Sequence, residues 1–192
     1  LALLVAGCRV ENHGAKDDDV DIATPFGGLS VKTNDAAVQQ GVGLAVYPGA
    51  TLVKREKGDD SAADVNLSFG DFHLGVKALT YTTPDAENKV LAFYRKDLAR
   101  YGTVIQCYGH EPVGNPVRTP EGLTCAEDEG HAKVKYEESD AADRQELKAG
   151  SKYRQHIVSV EPRAGATRLT LVALELPEHL KDLQKRDADE KQ

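Results

Sequence analysis

On either side of Gly70-Asp71, residues 63–78 alternate apolar with polar, a period of two that a helix cannot gather onto one side. A two-residue turn at Gly70-Asp71 pairs Phe69 with Phe72, Leu67 with Leu74, Val65 with Val76 and Ala63 with Ala78. All of these apolar side chains then fall on one face of a β-hairpin. The other face carries Asn66, Ser68, His73, Gly75 and Lys77 and is expected to meet solvent, which makes Asn66, Ser68, His73 and Lys77 candidate binding-face residues. The apolar face needs a cover, and the helical pattern that follows is the expected one.

That pattern opens at Thr83-Pro84-Asp85, where a hydroxyl cap, a Pro with no N–H to satisfy and an acid near the positive dipole end mark a helix start. Val90, Leu91, Tyr94, Leu98 and Tyr101 share one side, Lys89, Lys96 and Arg100 the other, and Gly102 stops a helix expected over 84–101. Residues 103–107 follow as a strand. Two further hairpins are expected, one from 20 to 33 around Pro25-Phe26-Gly27-Gly28, the other from 153 to 176 around Pro162-Arg163-Ala164-Gly165. Its return strand, 169–174, is apolar on both parities and belongs inside a sheet. Asn34 caps a short helix reaching Gln40.

These elements predict an α+β fold: a two-layer sandwich in which one main helix packs on a mainly antiparallel sheet of about five strands. With 192 residues the chain holds one domain and appendages. The expected organisation is a signal-peptide remnant at 1–8, an acidic tether with a short hairpin at 9–43, the α+β domain at 44–180 and a charged tail at 181–192. Residues 108–150, rich in Gly and Pro, read as a long loop insertion. A net charge of −7 argues against a broad phosphate-binding surface, so no nucleic-acid partner is expected.

The chain opens Leu1-Ala2-Leu3-Leu4-Val5-Ala6-Gly7-Cys8 and turns polar at Arg9. Val5-Ala6-Gly7-Cys8 resembles the lipobox of bacterial lipoproteins, which implies that Cys8 is the lipidated residue and that a lipid anchor holds the protein to a membrane. Arg9, rather than Asp, after that Cys implies sorting to the outer membrane, with the protein facing the periplasm. Cys107 and Cys125 then lie in an oxidising compartment and are expected to form a disulfide. No Cys-x-x-Cys is present, so a zinc set is the weaker reading of these thiols.

Tyr47-Pro48-Gly49-Ala50, the helix opening Thr83-Pro84-Asp85 and the run Val90-Leu91-Ala92-Phe93-Tyr94 together resemble a loose group of exported bacterial proteins of unknown function. The resemblance covers about residues 44–176. It implies the fold and carries no catalytic motif.

Chemistry-bearing patterns are sparse. Gly41-Val42-Gly43 lacks the third Gly of a dinucleotide loop and runs into Pro48. No cofactor is expected. His110 and His131 share the long loop with several carboxylates and are weak candidates for a metal site; no His pair has helical i,i+4 spacing. Phe93 and Tyr94 are candidate ligand-lining residues if the helix and sheet enclose a cavity. The leading expectation is a non-catalytic envelope lipoprotein that binds another envelope component through the polar sheet face or the 108–150 loop. A small-ligand or lipid carrier is the second reading, and a metal-assisted hydrolase using His110 and His131 the third.

Overall fold

The computed structural model describes residues 9–12, 20–24, 27–32, 34–53, 62–69, 72–125 and 144–177. Among the described residues the fold is mostly β, with one eleven-stranded antiparallel sheet and two short α-helices, rather than a two-layer sandwich of about five strands with one main helix. The strands are β1 (Arg9–Asn12), β2 (Val20–Thr24), β3 (Gly27–Lys32), β4 (Thr51–Leu52), β5 (Ala62–Phe69), β6 (Phe72–Thr83), β7 (Ile105–Tyr108), β8 (Glu111–Pro112), β9 (Gln145–Gly150), β10 (Arg154–Arg163) and β11 (Ala166–Glu175). Their order is β1-β2-β3-β5-β6-β11-β10-β9-β7-β8, with β4 paired to β6 beside the end of β5.

Two features enlarge the sheet beyond expectation. The first hairpin does not stand apart as a tether: β3 hydrogen-bonds along β5, from Gly27 opposite Phe69 to Lys32 opposite Asp64. At the other end, β9 lies inside the stretch read as a loop and joins β10 to β7. Its Gln-Glu-Leu-Lys-Ala-Gly sequence has no β-branched residue, so strand propensity gives no sign of it; two flanking strands hold it in place. The segments at 1–8, 126–143 and 178–192 lie outside the described residues, and so does the expected terminal tail.

The central hairpin forms in the expected register, Phe69 opposite Phe72 through Ala63 opposite Ala78. β11 is central, between β6 and β10, as its two-sided apolar sequence requires. Helix α1 (Asp35–Val42) takes its N-cap from Asn34, whose side chain accepts the Ala37 amide at 3.1 Å, and ends at Gly43 in the left-handed region. Helix α2 (Glu87–Leu98) begins later than its Thr-Pro-Asp signal. Thr83 is still the last residue of β6, its hydroxyl accepts the Asp85 amide at 3.3 Å, and the N-cap is Ala86. A 3-10 turn (Ala99–Tyr101) completes the segment.

The main core lies between the helices and the central strands. Val38 and Val42 of α1 and Val90, Leu91, Tyr94 and Leu98 of α2 pack on Leu79, Tyr81, Leu169, Leu171, Val158, Val160, Leu147 and Ala149. Topology fixes where this cover sits. β6 and β7 are separated in the sheet by β11, β10 and β9, so the segment joining them, α2, crosses those strands and reaches β9 and β10. Helix α1 joins β3 to β4 and lies over β5, β6 and β11. A second, small cluster on the opposite face, Ile105, Cys107, Leu123 and Cys125, is closed by the Cys107–Cys125 disulfide, whose Cα atoms are 5.5 Å apart.

Candidate functional site

Which way the central hairpin faces decides what the sheet offers a partner. Leu79 and Tyr81 point to the helices, so on β6 the odd-numbered side chains lie on the helix side and the even-numbered ones on the outer side. The apolar face of the hairpin is therefore the outer one. Register continues it across six strands: Ile22, Leu29, Leu67 and Leu74 form one row, Val31, Val65, Val76 and Leu174 the next, and Ala63, Ala78, Val172 and Ile157 a third. Phe69 and Phe72 close one end, Phe69 being 50% exposed. All the other side chains in these rows are partly exposed, and none belongs to either core cluster or packs against the main one. The sequence shows the hairpin's part of this stripe; its continuation over the neighbouring strands and the side the helices take are set by strand order, which it does not show.

The four polar candidates share one face, as the alternation requires, but it is the helix side. A Cβ on Gly41 of α1 would stand 2.5 Å from the Lys77 Cδ, so the Lys77 stem lies along that helix. Its ammonium reaches Asp64 at 3.6 Å, and the Asn66 amide donates to the same carboxylate at 2.6 Å. Asp64 is 8% exposed, a nearly buried charge held by these two groups. Ser68 and His73 stand opposite each other beyond the end of α1; the Ser68 hydroxyl donates to the Gly28 carbonyl at 3.5 Å, and His73 Nε2 lies 3.6 Å from Glu175, with both side chains about half exposed. Asp64, Asn66 and Lys77 thus serve one another, and the open part of this face is the Ser68–His73 end.

Tyr94 is fully buried in the main core, and its phenol is held well above the ordinary value, chiefly by burial. Phe93 is half-buried and meets the rings of Tyr47 and Tyr94 edge-on at 5.2 and 5.0 Å. Both side chains fill the helix–sheet junction. His110 is exposed, while His131 lies outside the described residues. Among the described residues, no group of three or more His, Cys, Asp or Glu side chains converges as a metal set.

Compared with protein-family models, curated proteins and solved structures, the chain has no match. Its Tyr-Pro-Gly-Ala segment has a clear physical role nonetheless. Pro48-Gly49 makes a turn closed by the Ala50 amide on the Tyr47 carbonyl at 3.0 Å, and Gly49 takes a φ of 76° there. The Tyr47 hydroxyl donates to Asp85 at 2.9 Å, Lys89 donates to the other oxygen of that carboxylate at 3.0 Å, and Thr167 donates to the Asp85 carbonyl at 2.7 Å. The hydrogen bonds from Lys89 and then Tyr47 hold the Asp85 carboxyl below its usual range. One Asp so ties the turn, the start of α2 and β11 together.

A second tie was not foreseen from the sequence. His156 Nδ1 lies 3.1 Å from the Val42 carbonyl at the end of α1, and its ring stacks on Tyr101 with centroids 3.6 Å apart. The Tyr101 hydroxyl and the Arg100 guanidinium both donate to the Gly43 carbonyl, and Asp97 accepts the Ala45 amide at 2.9 Å. His156, Tyr101 and Arg100 thus meet carbonyls left open at the C-terminal end of α1, and Asp97 takes an amide just beyond it. Burial, the main cause, lowers the His156 pKa from its ordinary value.

Proposed function

We propose that this chain is a non-catalytic, lipid-anchored protein of the bacterial cell envelope, held on the outer membrane facing the periplasm, that works by docking. The observation that carries the docking reading is the outer sheet face, where rows of Ile, Leu, Val and Ala run from β2 to β10 without a covering element among the described residues. Contiguous apolar surface on this scale is a mark of an interaction site in soluble domains. The docking surface in this reading is thus the apolar face, in place of the polar hairpin face or the long loop. The anchoring reading is supported by Val5-Ala6-Gly7-Cys8, with Cys8 as the acylated residue.

Two experiments test the proposal. Metabolic labelling with a clickable fatty acid in an exporting bacterium is expected to mark the wild-type chain and not Cys8→Ser; an unlabelled wild type contradicts the anchor. Crosslinking in intact cells is expected to give adducts that Leu29→Asp removes while the protein stays folded. Adducts that survive this substitution contradict docking through the outer face.

A further inference from the structure

The outer face is contiguous and apolar, and its own chemistry narrows what would dock on it. Its rows hold no ionisable side chain, in a chain whose net charge is −7. An anionic lipid surface repels such a chain, and adsorption to one calls for Lys or Arg on the inserted face, which these rows lack. Three of the chain's other segments are rich in charge by sequence. Residues 54–61 read Lys-Arg-Glu-Lys-Gly-Asp-Asp-Ser, and residues 178–192 offer Leu180 and Leu183 among charges. Residues 126–143 are mostly charged or small. A matching apolar sheet is complementary to such rows, and a second copy of the chain supplies one.

We infer that the outer face is closed by a second copy of this chain, sheet on sheet about a twofold axis. The inference rests on the docking reading above and names its partner. From β2 to β10 the rows cross five strand spacings, about 24 Å, and from Phe72 to Ala78 they run about 20 Å along the strands, a footprint of about 480 Å². Two such footprints remove about 1,000 Å² before side-chain relief is counted, the size at which specific interfaces begin. Aligned sheets pack about 10 Å apart with side chains interleaved, and short branched residues in straight rows suit that packing. A twofold contact uses the same patch on both copies, so one uncharged face suffices and no like charges oppose each other across the rows. Phe69 and Phe72 add aromatic surface at one end.

The test uses the full chain carrying Cys8→Ser, so that no acyl group contributes to association. Sedimentation equilibrium at about 50 μM is expected to give twice the chain mass of 20.8 kDa, and Val65→Asp is expected to return it to one chain mass with its far-UV circular dichroism retained. Val65→Cys, near the middle of the face, is expected to form a disulfide-linked pair under mild oxidation, whereas Ser68→Cys on the other side is not; this reading stands even if Val65→Asp unfolds. A single-chain mass together with no Val65→Cys pair overturns the inference. If Val65→Asp then still abolishes crosslinked adducts in cells, the face docks another protein and the docking reading stands without the self-pairing. If the adducts also persist, both readings fall.

Discussion

The two halves of the sheet differ on the helix side, which is apolar and buried in one and polar in the other. In the half formed by β6, β11, β10 and β9, the helix side holds Leu79, Leu171, Val158 and Leu147, each at most 1% exposed. In the half formed by β2, β3 and β5, the helix side is polar, with Asp64, Asn66 and Ser68, and the outer side carries the apolar rows. The outer rows cross both halves, on β6, β11 and β10 as well as β2, β3 and β5, whereas the helix side turns from apolar to polar away from the main core. Amphipathicity therefore specifies that a face will be covered, and topology specifies by what. In the helix-covered half the cover is part of the fold; the outer rows have none among the described residues.

The largest expected effect separates the halves directly. Leu171→Ala removes a side chain with no exposed surface and leaves a cavity in the main core, at a cost of about 2–5 kcal/mol. Leu67→Ala, measured at sub-micromolar concentration where a second copy is absent, is expected to cost roughly half as much or less, because Leu67 is already partly exposed. Urea titrations of the two variants check the ordering.

Next in size is the disulfide, which closes the small cluster under β7. Reduction, or the double Cys107→Ser, Cys125→Ser replacement, is expected to lower stability by about 3 kcal/mol, with the loss read from thermal unfolding with and without reductant. Labelling of both thiols in natively exported protein contradicts the bond.

A smaller effect probes the polar underside. Lys77→Ala takes away the cation facing Asp64 and leaves Asn66 as its partner, and the expected cost is roughly 1–2 kcal/mol, reduced from a fully buried pair because the Lys77 side chain is 25% exposed. The double variant Asp64→Asn, Lys77→Ala is expected to recover part of it. If Lys77→Ala is neutral, the ladder is solvated and the two faces differ less than described here.

The smallest effect is a pH dependence in the tie at the end of α1. The folded state holds the His156 pKa below its unfolded value, chiefly by burial, so the unfolded chain binds the proton more readily. That contribution to stability is full above the unfolded pKa of about 6.5 and is lost as pH falls toward the folded value. Chemical denaturation between pH 7 and pH 5 is expected to show a decline that His156→Gln flattens.

Much of the fold is legible in local sequence, for local reasons. The Gly70-Asp71 register, the Asn34 cap, the Ala164-Gly165 turn and the central place of β11 each follow from residues within one hairpin or helix. What sequence hides is long-range pairing. Nothing in Gly27–Lys32 names Ala62–Phe69 as its partner, and the Gln145–Gly150 strand carries no strand signal of its own. The five-strand sandwich fails for that reason, since one unseen pairing adds the β1–β3 strands at an edge and the other inserts β9 between β10 and β7. The candidate site shows the same division: the hairpin's apolar set and its polar set Asn66, Ser68, His73 and Lys77 are readable, whereas their sides and the rows beyond the hairpin are not. His156 gives no local sign of meeting Val42 and Tyr101, because those contacts join residues far apart in the chain.

The contrast between the buried helix side and the open outer face is tested most directly by placing one aspartate on each side. Leu171→Asp buries a charge in the main core and is expected to abolish the cooperative urea transition, while Leu67→Asp puts it on the outer face and is expected to keep that transition at sub-micromolar concentration, with a loss of about 1–2 kcal/mol. Comparable collapse of both variants would place Leu67 in a sealed core and contradict the account.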